Sequence, residues 1–177
     1  AYMVAQTQPM KLAAIEALYE GGNGENLTVI SCINPFKQPD YSNSKHASGG
    51  ISIPNLLSLL ATHNTNGFVP GVNDIIKGGY LMRNGKKAIS YDEKISRGKV
   101  AIKALGDYRK SKAIGDNEAA QRSVKILKSN IDYFGYGYIK DKGELVPYIP
   151  ICFYAFRVMV GLGIYFVILF ACILFIV

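Results

Sequence analysis

The sequence predicts a mainly α-helical protein: one transmembrane helix joined to an α-rich, partly irregular loop domain. Three observations carry that prediction. First, residues 149–177 read IPICFYAFRVMVGLGIYFVILFACILFIV, with a single formal charge. As a helix this run is roughly 43 Å long at about 1.5 Å per residue, against about 30 Å for the hydrocarbon core of a bilayer. Second, the residues before it are mostly polar and rich in Gly, Asn, Ser and Lys. That is a thin supply of core, so short helices and loops resting on other protein are expected. Third, the polar part alternates helical patterns with Gly and Pro punctuation.

The elements follow in order. Gln8 and Pro9 open MKLAAIEALYE, a run of good helix formers with proline at its first position, and Gly21-Gly22-Asn23-Gly24 is expected to end it. Leu27 to Ile33 is β-prone. The polar stretch FKQPDYSNSKHASGG, with His46 near its end, reads as a mobile loop. Ile51 to His63 (ISIPNLLSLLATH) is apolar and helical after Pro54, and GVNDIIKG is a short piece after Pro70. From Arg83 to Ala113, apolar residues recur every three or four positions among charges. This predicts a partly exposed helix with a break at Gly98. Asp116 caps a second helix whose apolar side holds Ala119, Val124, Leu127 and Ile131. The run YFGYGYIKDKGELVPYIP is aromatic and glycine-rich, and its tyrosines suit a belt at the membrane surface before the span. The resulting organisation is an N-terminal helix over 1–20, a loop region over 21–147 and the transmembrane helix over 148–177.

Composition narrows the function classes. The chain has 177 residues and a formal net charge of +7. Its Lys and Arg residues are spread through 77–142 and interleaved with acids, the pattern of a solvated helical surface and not of a nucleic-acid patch. Of the three cysteines, Cys152 and Cys172 lie far apart in the apolar run, which leaves Cys32 without a partner. No disulfide framework, zinc spacing, Walker motif, dinucleotide fingerprint or nucleophile elbow is present. The sequence opens without an initiator Met and stops within an apolar run, so it reads as a segment of a larger membrane protein.

Several residues stand out chemically. Arg157 lies about eight residues into the apolar run; a central arginine costs about 2.5–3.5 kcal/mol on insertion scales. It therefore either snorkels to the interface or faces protein, water or an anion. Met159 has Ala155 four residues before it and Gly163 four after, small residues that form a slot for a flat group or a helix–helix contact. Glu16 sits among Ala13, Ile15 and Ala17, where a carboxylate with a raised pKa can accept a proton; an ordinary surface helix is the alternative. Lys11 is about 140° of helix rotation from it, on another stripe. His63 closes an apolar helix, to cap its carbonyls or to bind a ligand.

QPMKLAAIEALYEG, the proline-started helix ending in ATH, the GYGYIK run and FYAFRVMVGLG occur in this order. Together they resemble subunit I of the cytochrome bd quinol oxidases, over nearly the whole chain. The segment corresponds to the extracytoplasmic Q-loop, the end of the transmembrane region before it and the transmembrane helix after it. The resemblance implies quinol oxidation coupled to reduction of dioxygen to water. It also implies three haems in the full subunit: low-spin haem b, high-spin haem b and haem d. Lys11 and Glu16 fall on the lysine and glutamate implicated in quinol oxidation, and Tyr2 on an implicated tyrosine nine residues before the lysine. Met159 inherits the axial ligation of the low-spin haem iron, and Arg157 falls on an arginine close to that haem. His63 stands where some members carry arginine, a weaker correspondence to a quinol contact. The implied partners are quinol, subunit II, the rest of subunit I and the bilayer, with no nucleic acid. The implied location is the bacterial cytoplasmic membrane, with the loop on the periplasmic side. The basic balance of a loop this long does not oppose that side, because long loops translocate largely regardless of charge. The second axial ligand of the low-spin haem is expected upstream of this segment. A non-catalytic interaction domain held by one span is the rival, and a basic nucleic-acid binder a further one.

Overall fold

The computed structural model describes residues 2–33, 48–82 and 85–176. The polar stretch with His46 lies largely outside these residues. The chain divides into two compact units, Ala1–Asp74 with Val146–Val177, and Ile75–Leu145.

The first unit begins with helices α1 (Tyr2–Thr7) and α2 (Pro9–Glu16), with Pro9 at the start of α2 as its fixed φ favours. Helix α2 stops at Glu16, several residues before the glycines expected to end it. Ala17 takes a left-handed conformation (φ 49°). Its N–H reaches back to the Ala14 carbonyl, and that of Leu18 to the Ala13 carbonyl at 2.8 Å, the pairing of a Schellman motif. The freed residues bond elsewhere: the carbonyls of Leu18 and Tyr19 accept from the N–H groups of Val72 and Asn73. These tertiary bonds, together with burial of Leu18, override the helix propensity of ALYE.

Two small antiparallel sheets follow. Strand β1 (Gly22–Asn23) pairs with β4 (Phe68–Val69), and β2 (Leu27–Cys32) with β3 (Ser48–Ile53) through an irregular register. The β-prone run at Leu27 is thus a strand, whereas the expected helix after Pro54 is restricted to α3 (Leu56–Thr62). Leu12, Leu18, Leu57, Ala61 and Val69 form the core of this unit, with Val4, Ala5 and Leu27 against it. Helix α4 (Val72–Lys77) starts beside Asp74, whose carboxylate accepts from the N–H groups of Gly21 (2.7 Å) and Gly71 (3.0 Å). A Cβ on Gly71 would come within 2.6 Å of the Gly21 nitrogen, so this crossing requires glycine.

Helix α7 (Ile149–Ile176) completes the unit; the stretch Gly143–Ile176 is long and apolar enough to cross a membrane, with a hydropathy of 2.8. Near its start Ile149, Pro150 and Phe153 are buried, and α7 packs on α2 there. The remainder presents apolar side chains outward, as a lipid-facing helix does.

The second unit is a helical hairpin. Helix α5 (Tyr91–Ile114) is capped by Ser90, whose hydroxyl accepts from the Glu93 N–H; the expected start at Arg83 lies outside the described residues. It runs unbroken through Gly98. That glycine lets a 3₁₀ helix (Ile131–Tyr138) approach closely: a Cβ there would lie 2.5 Å from the Tyr133 carbonyl oxygen. Helix α6 (Asn117–Asn130) is capped as expected by Asp116, whose carboxylate accepts from the Ala119 N–H at 3.0 Å. The aromatic run folds onto α5, with Tyr91 and Tyr136 ring centroids 6.3 Å apart and the Lys94 ammonium 4.9 Å from the Tyr91 ring. Burial among these rings lowers the pKa of Lys94 and raises that of Tyr91.

Candidate functional site

The site lies in the first unit, where the C-terminal end of α2 meets the first turns of α7. Glu16 is the last residue of α2 and is 8 % exposed. Desolvation raises its pKa above the ordinary carboxylate range, and the positive charge of Arg157 opposes that rise without cancelling it. The Arg157 guanidinium donates to Glu16 Oε2 at 2.9 Å and also to the backbone carbonyls of Ile15 and Thr28. Its plane lies over the Phe153 ring, 3.5 Å from the centroid. Of the two sequence alternatives for Arg157, facing protein is the one realised.

Glu16 opens on a cavity of about 360 Å³, whose lining includes Leu18, Glu25, Thr28, Ser52 and Leu57. That volume falls within the range of small-molecule sites, roughly 300–1,000 Å³. Tyr154 braces the same region: its hydroxyl donates to the Ile33 carbonyl and accepts from the Ile33 N–H, both at 2.8 Å.

The other singled-out residues fall in different places. Lys11 is exposed on the outer side of α2, apart from the Glu16 cavity, as its rotation about the helix requires. Tyr2 and His63 meet ring to ring at 4.3 Å. His63 also ends α3 in a left-handed conformation (φ 58°), its backbone N–H bonding the Leu59 carbonyl. Met159 is 61 % exposed and turned roughly 200° from Arg157 about the axis of α7. Ala155 and Gly163, four residues to either side of it, are exposed as well, and a Cβ on Gly163 would meet nothing within 4 Å. An outward thioether on a strip of small residues suits the axial ligation and flat face of a haem. Among the described residues no group of three or more His, Cys, Asp or Glu side chains could hold a metal ion.

Residues 1–177 match the model of the family described as cytochrome bd terminal oxidase subunit I. The chain belongs to this family. Among curated proteins it is similar to the cytochrome bd-II ubiquinol oxidase subunit 1 of Escherichia coli (strain K12), at 27 % identity over 164 residues. The match covers 92 % of this chain and 30 % of the relative, so the chain spans under a third of that protein's length. The family is a bacterial membrane oxidase, which supports a bd-type oxidase subunit over the anchored interaction domain and the nucleic-acid binder.

Sequence reasoning missed Asp74, Tyr154 and Thr28 as parts of this framework. Their roles depend on partners far along the chain: Asp74 is at a sequence separation of 53 from Gly21, and Tyr154 at one of 121 from Ile33. No local periodicity records such pairings.

Proposed function

We propose that this segment carries the quinol-oxidising site of a cytochrome bd-type oxidase and one axial ligand of its low-spin haem b. Its whole subunit reduces dioxygen to water, holds high-spin haem b and haem d as well, and works with subunit II. The segment's loop region lies on the periplasmic side of the cytoplasmic membrane. The observation that carries this reading is Glu16: a buried carboxylate with raised proton affinity, opening on a cavity large enough for an aromatic headgroup.

The chemistry suits the residues. Quinol oxidation releases two protons and two electrons. The quinol hydroxyl, seated in the cavity, gives its proton to a Glu16 oxygen, with Leu18 and Leu57 supplying apolar contact to the ring. Met159 would hold the haem from the outer side of α7, with Ala155 and Gly163 leaving room for the macrocycle. When bound, that haem supplies a one-electron acceptor whose potential a thioether ligand raises. Lys11 points away from the cavity, so support for its role in holding an anionic quinol oxygen is the family motif alone. Tyr2 and His63, in tilted ring contact, offer a second aromatic surface for the quinol.

The experiment is quinol-driven oxygen uptake by the complete oxidase in membranes, with Glu16→Gln. The amide keeps the shape and cannot take a proton. The expected result is a fall of about 10²-fold or more with haem content intact. Uptake at the wild-type rate contradicts the proposal.

A further inference from the structure

Arg157 stands two residues from Met159 on α7, yet its guanidinium is committed to the opposite side of that helix. It bonds three acceptors: the Ile15 carbonyl and the Glu16 carboxylate on α2, and the Thr28 carbonyl on β2. Phe153, 1 % exposed, covers one face of it. The pair is withdrawn from solvent, with side-chain exposures of 18 % for Arg157 and 5 % for Glu16. A guanidinium that only neutralised a charge would not need two carbonyls from two elements. This one is fixed in orientation, and it fixes the carboxylate it touches.

We propose that Arg157 is the positioning residue of the quinol site, holding the Glu16 carboxylate ionised and in one orientation until quinol delivers its proton. The inference rests on the reading of Glu16 as the proton acceptor. A carboxyl group buried alone would stay protonated at neutral pH and could accept nothing. The cation beside it opposes that tendency, so the base is available although the carboxylate is buried. In the step itself the quinol O–H bond breaks, its proton passes to a Glu16 oxygen, and the bonding pair remains on the quinol oxygen. Glu16 is then neutral and the charge of Arg157 uncompensated. That favours onward release of the proton and resets the site. Among the described residues the charged groups around the carboxylate are Arg157, from α7, and Glu25, which lines the same cavity; β2 contributes the Thr28 carbonyl. Lys11, on the same helix as Glu16, is exposed away from it.

The test measures kcat and KM for quinol against pH in the complete oxidase, for wild type, Arg157→Gln, Arg157→Lys, Glu16→Gln and the double variant with both Gln substitutions. Haem content and reduced-minus-oxidised spectra are recorded for each. Removing the cation raises the proton affinity of Glu16, so in Arg157→Gln the acid limb of kcat/KM moves to higher pH by about one to three units. Activity falls about tenfold or more on the acid side and recovers at alkaline pH. Arg157→Lys keeps the charge but cannot span three acceptors; its limb stays within about one unit of wild type while kcat falls. In the Glu16→Gln background, Arg157→Gln changes the rate less than about twofold, because the two act as a unit. An unmoved limb in Arg157→Gln, or independent losses that multiply in the double variant, overturns the inference while leaving Glu16 as the base. If Arg157→Gln fails to assemble, Arg157→Lys with wild-type kcat and limb overturns it equally. A wild-type rate in Glu16→Gln removes the reading beneath it, and the two failures are thereby distinguished.

Discussion

Glu16 is placed by a single left-handed alanine. Ala17 ends α2 one residue after it, which stops the helix where the carboxylate meets α7. Strain in a non-glycine residue at such a point is tolerated when the surroundings over-determine it, and sites of chemistry are where it gathers. The raised pKa of Glu16 has a sign that can be tested. A base must be deprotonated to act, so kcat/KM for quinol should rise with pH through a limb above the ordinary carboxylate range. The same shift makes folding favour the protonated form: its stabilising effect is present at low pH and fades as pH rises through the folded-state pKa. Tyr154 offers a second test at this scale. Tyr154→Phe removes both bonds to Ile33 and should cost about 0.5–1.5 kcal/mol. Amide exchange at Ile33 should quicken by up to about tenfold, with little change at α5, where the hydroxyl has no part.

Close backbone contact, more than side-chain volume, organises the second unit's hairpin. Gly98 on α5 and Gly137 on the 3₁₀ helix leave no room for a Cβ on either. Gly98→Ala should therefore cost about 1–3 kcal/mol by overpacking and lower the thermal midpoint of the protein, although alanine is the better helix former. Asp116→Ala removes the cap of α6 and should cost about 1 kcal/mol, read as faster amide exchange in the first turn of α6. These two positions show what is legible in a sequence. Asp116 was readable, because a cap acts on the residues that follow it. Gly98 read as a break because glycine in a charged helical run carries a local penalty. Its actual reason is a neighbour nearly forty residues on. For the same reason the glycines at 21–24 read as the stop of α2. The stop is set earlier, by hydrogen bonds from Val72 and Asn73 that no window of sequence contains.

For the molecule as a whole, the apolar run and the motif order were enough to find the long helix and the family, because hydropathy and motif spacing are properties of contiguous residues. The pairing of Glu16 with Arg157, 141 residues apart, emerged only from the fold. It puts the carboxylate on one side of α7 and leaves Met159 on the other, so one helix carries both the arginine that holds Glu16 and the proposed haem face. The measurement that tests this most directly uses the complete oxidase in membranes. The low-spin haem b is reduced first by quinol and then by dithionite, in wild type, Glu16→Gln and Met159→Leu. The account predicts that Glu16→Gln keeps a dithionite-reducible low-spin haem b that quinol reduces at least about 10²-fold more slowly, and that Met159→Leu loses the low-spin signal under both reductants. Normal low-spin spectra in Met159→Leu, together with wild-type quinol reduction in Glu16→Gln, would contradict it.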